Sequence, residues 1–436
     1  MRKVEDAVHT LVGNPYALSS EELSQAEDIL GSHDPRGTID RHLEDGLVED
    51  ASRTVLAVGH VQARQHVDDP DRVLTDRVLT KAAARRLPRP RGEYLRTVMA
   101  AARCHRALRY FQGSSAAMRE VRRATWAACF GDSLVHAITL AKVIRDHDVL
   151  IVGETGTGKE SIAYALQEGA VGPADGSPAP RSALNAAAVP DTLIESQLFG
   201  HVKGAFTGAS ETRKGCIRTA HGGSFFLDEV GDLAPTTQVK LLRVIETDEV
   251  HPLGSDATHV ADCRYIAATH KDLDEMVDRG VFRRDLFMRL AGNVIRLPSL
   301  AERPEDIPEI GRAFVRRHLP EGQLPETRDR LYEWLESPEA QRCRWPGNVR
   351  GLQNALRNML LGLPPGIGEE RAPLAEGGGE ALPPQVRECQ ATMRDVEEWY
   401  LARVLDHTTD NLAHSARILG VDRTTVRRRA RKLGRG

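Results

Sequence analysis

Gly153, Gly156 and Gly158 stand between four apolar residues, Val149 to Val152, and a run of helical spacing that opens at Lys159. A strand, a glycine-rich turn and a helix in that order make a cradle for anionic oxygens. Glycines let successive backbone N–H groups converge, the helix N-terminus adds the positive end of its dipole, and Lys159 supplies a point charge for β- and γ-phosphates. The spacing of Gly153, Gly158 and Lys159 fits the P-loop, with Glu154, Thr155 and Thr157 completing the turn. The hydroxyl that usually follows the lysine and holds Mg²⁺ is replaced by Glu160. A metal here must lean on waters and on a carboxylate elsewhere.

That carboxylate is offered downstream, where the apolar run Ser224 to Leu227 ends in Asp228 and Glu229. Phosphoryl transfer to water needs one acid to hold Mg²⁺ through its water shell and one to orient and deprotonate the attacking water. Asp228 is assigned the metal and Glu229 the water. Alone, such a pair is more often a solvated strand edge; after a P-loop it is not. Arg264 to Thr269 reads as another buried strand, whose end places Thr269 and His270 to sense a γ-phosphate, although a lone histidine is as often structural. Phe282 to Leu290 puts Arg283, Arg284 and Arg289 on a short helix, normally a solvated face. An NTPase also needs a guanidinium against transition-state charge, often from a neighbouring subunit. Arg350 follows the rigid turn Trp345-Pro346-Gly347-Asn348-Val349, which aims it at the nucleotide.

The elements that must position these groups divide unevenly. A chain of 436 residues implies about two to four domains. With a net charge of −3 it is neither a nucleic-acid sponge nor an acidic tail, so charge has to be read locally. The six cysteines lie far apart, with no metal-binding spacing, and are expected to be reduced. No stretch approaches the ~20 apolar residues of a membrane span, and the charged N-terminus is no signal peptide. A cytoplasmic protein without membrane contact is expected. Residues 1–112 read as mostly helical, with Thr54 to Val61 as a candidate strand and the tandem DRVLT of residues 71–80 as one amphipathic turn. Helical spacing continues to Asp148. Ser182 to Val189 reads as a strand and Asp191 to Gly200 as a helix. Gly204, Ala205, Phe206, Thr207, Gly208 and Ala209 then form a hairpin-like loop tip, whose exposed aromatic suggests a partner. Prolines at 298, 304 and 308 open a helical subdomain, and Leu363 to Gln385 reads as a linker.

From Asn411 onward the chain turns basic. Helical runs Leu412 to Leu419 and Arg423 to Leu433 flank Gly420-Val421-Asp422, a helix-turn-helix pattern with Asp422 as cap. Ile418, Leu419, Val421, Val426 and Leu433 are its expected core, which a solvated basic tail would lack. Arg423, Thr424, Arg427 and Arg428 are placed to read bases and Arg431, Lys432 and Arg435 to grip phosphates, with Thr425 also in the DNA-binding set.

These motifs, in this order, resemble the bacterial enhancer-binding proteins, the NtrC-type AAA+ activators of sigma-54 RNA polymerase. GETGTGKE, ESQLFGHVKGAFTGA, GGSFFLDEVGDL, QVKLLRVIE, FRRDLFMRL and WPGNVRGLQN carry the resemblance over about two thirds of the chain. GAFTGA is the most specific of them, and Glu160 belongs to the family's own form of the P-loop. The resemblance implies an α/β fold, a P-loop AAA+ three-layer αβα sandwich with a helical lid, plus a C-terminal all-α helix-turn-helix; the mostly helical N-terminal domain read above does not resemble the family's common receiver domain. It implies boundaries at 1–112, 113–367 with the lid from about 300, a linker over 368–387, and a Fis-like DNA-binding end over 388–436. It further implies ATP and Mg²⁺, Asn185 as the switch linking Glu229 to nucleotide state, and Arg283 and Arg289 as fingers acting in trans. Arg350 becomes a second sensor, and residues 204–209 the contact with sigma-54 holoenzyme. The expected partners are double-stranded enhancer DNA and further copies of the chain in a hexameric ring. His270 stands where the family usually has Asn, Gln197 where it has Glu, Gly351 where it has Glu and Ala301 where it has Arg. The rival readings are a DNA-binding regulator that keeps the scaffold without motor work, and an AAA+ remodeller of another protein; the intact GAFTGA and acid pair oppose the first, the basic C-terminus the second.

Overall fold

A parallel sheet carries the P-loop. Its strands are β1 (Val149–Val152), β2 (Arg181–Asn185), β5 (Ser224–Asp228), β8 (Arg264–Thr269) and β9 (Asn293–Arg296), in the spatial order β2-β5-β8-β1-β9. Two short antiparallel pairs flank it, β3 (Gly200–His201) with β4 (Arg213–Lys214) and β6 (Glu249–Val250) with β7 (His259–Val260). The register sets Val152 beside Thr269 and Asn185 beside Asp228, so the polar groups at the strand ends gather along one edge. Ligands of open α/β sheets bind outside that edge.

This computed structural model describes residues 2–320, 322–366, 392–407, 412–419, 421 and 423–432. The chain forms two compact units, Met1–Ile367 and Gly368–Gly436. In the first, six helices come first: α1 (Arg2–Val12), α2 (Ser20–Gly31), α3 (Pro35–Glu44), α4 (Val48–Gln65), α5 (Lys81–Arg86) and α6 (Arg91–Tyr110). Then come α7 (Ala116–Phe130), α8 (Leu134–Thr139) and α9 (Ala141–Arg145) before β1, and α10 (Lys159–Glu168) after the P-loop. The crossovers hold α11 (Asp191–Phe199), α12 (Cys216–Thr219), α13 (Pro235–Thr247), α14 (Leu273–Asp278) and α15 (Arg284–Leu290). A lid of α16 (Ile307–His318), α17 (Pro325–Leu335), α18 (Pro338–Arg342) and α19 (Asn348–Leu360) follows. Helices on both faces of a parallel sheet, with this lid, are the expected three-layer AAA+ architecture.

The two faces of the sheet bury separate cores, as the strand period of two dictates. Leu150, Phe225, Leu227, Tyr265 and Ala267 point into one. Val149, Ile151, Phe226, Ile266 and Ala268 point into the other, which runs without a break through α10, α7 and α6 to Val4 in α1. Trp126 is its largest fully buried side chain and meets, at a tilt, the rings of Phe130, 4.6 Å away, and His60, 5.5 Å away. The sequence boundary near residue 112 is therefore no boundary in the packing. α6 lies along α10, and Arg103 approaches Glu168 at 3.7 Å, both side chains largely covered.

Some expectations fail locally, for physical reasons. Thr54 to Val61 lies inside α4 rather than in a strand, because Thr54 through Val58 and His60 are all buried. A helix covered all round shows no amphipathic period. The DRVLT tandem, by contrast, is amphipathic as expected, in two short turns rather than one, with Asp71, Arg72, Asp76 and Arg77 exposed. Its Val73, Leu74 and Leu79 plug the core, with Leu74 against Gly59, where an added Cβ would stand 3.1 Å from it. β2 stops at Asn185, whose side chain accepts from Ala188 N at 3.1 Å and turns the chain into a 3₁₀ helix. Phe206 does not sit at an exposed tip. It is half-buried, edge-on to His201 at 5.1 Å, while Gly204, Thr207 and Gly208 are exposed.

The second unit contains α20 (Met393–His407), α21 (Leu412–Leu419) and α22 (Arg423–Lys432). Leu401, Leu405, Ala416, Val426 and Ala430 form its core, with Leu412 and Leu419 packed against it. Val421, expected in that core, is 41% exposed. Arg427, Arg428 and Arg429 are exposed, and Arg429 donates to Glu397 at 2.9 Å. The linker over 368–387, the cap Asp422, Leu433, Arg435 and the side chains of Arg423, Ile418, Arg431 and Lys432 lie outside the described residues. Among the described residues no helix is long and apolar enough to cross a membrane, and no disulfide forms.

Two measurements check this packing. Deleting residues 1–112 is expected to expose apolar surface on α10, seen as dye binding and a lower melting temperature of the remainder; an unchanged melt would contradict the shared core. Asp148, just before β1, accepts from Tyr265 N at 2.9 Å and is 3% exposed, with Arg289 Nε 3.7 Å from its other oxygen. Burial lifts its pKa from 3.8 to about 6, despite the opposing hydrogen bond and arginines. The folded chain keeps a proton that the unfolded chain has released, so this group's contribution falls as pH rises from about 4 to about 6. Asp148→Asn should match the parent near pH 4 and exceed it at pH 7 by at most about 3 kcal/mol in denaturant unfolding.

Candidate functional site

β1 ends against Thr269, whose carbonyl accepts from Gly153 N at 3.2 Å, and the loop turns back through Thr157 Oγ1 donating to Glu154 O at 2.8 Å. Gly156 and Gly158 have φ of 82° and 106°, a region that costs other residues roughly 1–2 kcal/mol. Space is as restrictive as conformation. A Cβ on Gly156 would lie 2.3 Å from Gly347 O in the lid, and one on Gly158 2.4 Å from the Phe111 ring. Lys159 opens α10 almost wholly covered, its Nζ donating to Gly153 O at 2.9 Å and Glu154 O at 3.3 Å and standing 3.7 Å from Glu229 Oε1.

The two acids at the end of β5 are held differently. Asp228 Oδ2 accepts from Asn185 Nδ2 at 2.8 Å and Oδ1 from Glu229 N at 3.1 Å. Glu229 has φ 53°, strained for a residue with a side chain. Its Oε2 accepts from His270 N at 3.2 Å and meets His270 Nδ1 at 2.7 Å. Asn185 thus bonds Asp228, because the β2–β5 register sets it beside that residue. His270, the first residue past β8, takes Glu229 instead.

Burial, then the charges of Glu229 and Glu160, raise the proton affinity of Asp228 against the pull of Lys159. A divalent cation relieves that repulsion, so the carboxylates present fit Mg²⁺. Among the described residues no three His, Cys, Asp or Glu converge into a ready-made metal cage, so the ion's remaining positions would fall to water and phosphate, as is usual for Mg²⁺.

The lid closes over the P-loop through α19. Asn348, at φ 50° and fully buried, donates from Nδ2 to Glu154 Oε2 at 3.0 Å and Thr155 O at 3.1 Å, and accepts from Leu300 N at 2.7 Å. Val349 N donates to Gly156 O at 3.1 Å. Between P-loop and lid lies a cavity of about 570 Å³, lined by Phe111, Gly158, Arg303, Phe314 and Arg350 among others. Arg303 is 1% exposed, 3.7 Å from Asp306, and none of its three guanidinium nitrogens has a hydrogen bond among the described residues. Burial lowers its pKa. Sequence reasoning missed Phe111, Arg303 and the role of Asn348. Only Asn348 left a signal, the Pro-Gly-Asn turn before α19.

The helix of arginines stands apart. Arg283 pairs with Asp285 at 2.6 Å, Arg284 with Asp278 at 3.4 Å and Arg289 with Asp148 at 3.7 Å. None makes an ion pair or hydrogen bond with Asp228 or Glu229 of its own chain.

Residues 132–296 match the model of the sigma-54 interaction domain. The chain is similar to the transcriptional regulatory protein ZraR of Klebsiella oxytoca, 41% identical over 302 residues, covering 67% of this chain and 65% of that protein. GlrR of Escherichia coli strain K12 is 40% identical over 295 residues, 67% of this chain and 64% of GlrR. The hydrogenase transcriptional regulatory protein HoxA of Bradyrhizobium diazoefficiens is 38% identical over 315 residues, 68% of this chain and 62% of HoxA. The chain thus spans just under two thirds of the length of these relatives.

Glu229→Gln should still bind nucleoside triphosphate but hydrolyse it ~10² to 10⁴ more slowly, the usual contribution of a general base. His270→Ala, which frees that carboxylate, should lower kcat more than it changes nucleotide affinity, and His270→Asn, which keeps a donor, should recover part of the loss. Steady-state phosphate release together with fluorescent-nucleotide titration checks both; full turnover by Glu229→Gln would remove the assignment.

Proposed function

From this homology to the sigma-54-dependent transcriptional activators, we propose that the chain is an ATPase that assembles into a hexameric ring, binds enhancer DNA and remodels sigma-54 RNA polymerase for promoter opening. One observation carries the reading: Glu229 stands between Lys159 and His270 at the mouth of a P-loop. A carboxylate held in this way beside an ammonium supports the reading of Glu229 as the group that activates water for attack on the transferred phosphoryl group.

The backbone N–H groups of residues 153–158 and the Lys159 ammonium bind the β- and γ-phosphates. Mg²⁺, when bound, offsets phosphate charge and polarises the γ-phosphoryl group. Asp228 holds it, kept in orientation by Asn185. Glu229 takes the proton of the attacking water. Its bond to His270 fixes where the carboxylate points, so γ-phosphate contact at Thr269 and His270 reports directly on the base. Arg350 and the lid read the nucleotide from the other side. Arg283 and Arg289 act in trans, their guanidinium groups offsetting transition-state charge at the site of a neighbouring copy; their partners within the chain, Asp285 and Asp148, hold them meanwhile.

Output lies elsewhere on the chain. Residues 204–209 contact sigma-54, with Thr207 already presented and Phe206 clasped against His201 until the loop is released. Residues 388–436 bind enhancer DNA through α22, where the exposed Arg427 and Arg428 reach bases together with Arg423, Thr424 and Thr425, and Arg431 and Lys432 reach phosphates. Residues 113–367 form the motor and 1–112 its regulatory front.

Phe206→Ala and Thr207→Ala should keep most ATPase activity while losing sigma-54 binding and open-complex formation, measured with purified holoenzyme on a premelted promoter. Arg289→Ala should depress ATPase ~10³-fold or more if it is an arginine finger, and activity per chain in the parent should rise with concentration. A specific activity that stays flat down to a demonstrated monomer would contradict assembly of the site between copies.

A further inference from the structure

We propose that the cavity between α4 and α6, in the helical front, binds a small polyanion, a di- or tricarboxylate or a phosphate, and that its occupancy is passed to the P-loop through a wall the two cavities share. The cavity measures about 640 Å³, within the range of roughly 300–1,000 Å³ of small-molecule sites. Arg64, Arg106 and Arg109 line it against one carboxylate, Glu27. Their donors are only partly engaged. Arg64 pairs with Glu27 through one nitrogen while its buried Nε has no partner. Arg106 donates to Asp68 at 2.7 Å, and the exposed Arg109 guanidinium has no hydrogen bond or ion pair with any described residue. Guanidinium forks with unspent N–H groups fit carboxylate and phosphate oxygens.

A solvated basic face would look different. The Arg64 side chain is only 18% exposed, and His105 beside it stacks on Tyr16 at 5.7 Å. Burial first, then the charges of Arg64, His60 and Arg109, push the His105 pKa down to about 3. The ring is neutral mainly because it is buried, and the neighbouring arginine charges add to that in the direction a bound anion would oppose.

The coupling is geometric. Tyr110 and Gln112 line both this cavity and the one between P-loop and lid. Between them Phe111 packs on Gly158. Arg122 fastens the segment by donating to Phe111 O and Gly113 O, each at 2.6 Å. Gly113 N donates to Glu309 at 3.2 Å, and Ser115 to Asp306 from N at 2.8 Å and from Oγ at 2.7 Å. An anion that draws Arg109 inward moves the end of α6, and with it the ring that abuts the P-loop. The coupling rests on the nucleotide assignment above; the anion site does not.

Isothermal titration of the nucleotide-free full chain with citrate and, separately, inorganic phosphate tests the site. At least one should bind saturably, and which one distinguishes a carboxylate from a phosphate ligand. Arg109→Gln, at an exposed and unpaired position, should weaken that binding at least tenfold, and Lys159→Ala should leave it unchanged. Failure of both anions to bind, or loss in Lys159→Ala with retention in Arg109→Gln, places no anion here and overturns the proposal. Saturating anion should also shift the affinity for a fluorescent ADP analogue severalfold in the parent and not in Arg109→Gln. An unchanged shift in both overturns the coupling. A parent that binds the anion but no nucleotide refutes the ATPase reading and leaves the anion site standing.

Discussion

No side chain fits at Gly156 or Gly158, because a lid carbonyl and the Phe111 ring already occupy the space a Cβ would need. The rest of the arrangement hangs on that exclusion. Two bare positions let the helical front and the lid both touch the phosphate loop, and Asn348 ties the lid side with bonds to Glu154 and Thr155. The loop is thus the meeting point of three parts of the chain that are far apart in sequence. Whatever shifts the front or the lid is felt there first.

The acid pair illustrates a second constraint, the parallel register. Because residues beside one another in adjacent strands reach the same edge together, Asn185 and Asp228 arrive as partners, and the residue after β8 arrives beside Glu229. With His270 at that place the Glu229 carboxylate gains both a backbone N–H and a ring nitrogen as partners. The carboxylate then sits between an ammonium and an imidazole, so its orientation is set by two groups of different chemistry.

Much of this was legible in the sequence where the pattern has a short range. The strands of VLIV, SFFLD and RYIAAT and the helix from Lys159 came out close to their observed bounds, since buried parallel strands are short apolar runs and a P-loop helix starts at its lysine. Burial on all sides hid α4, whose apolar run over residues 54–61 mimics a strand. Partners that depend on tertiary contacts were not readable either. Nothing in the spacing pairs Asn185 with Asp228 rather than Glu229, buries Arg303, or folds Phe206 onto His201. Val421 was misplaced because an apolar residue in a turn looks like core whichever way the turn faces.

The unbroken core from α1 to the sheet bears on how such a chain changes over evolution and in the laboratory. Parts joined by a tether can be exchanged without consequence for either neighbour. Here Ile162 and Leu166 of α10 are covered by a core to which the front helices contribute Leu108, Val98 and Leu56. A transplanted front segment would have to bring a matching apolar face, so a change near residue 112 alters the support of the phosphate loop along with the front.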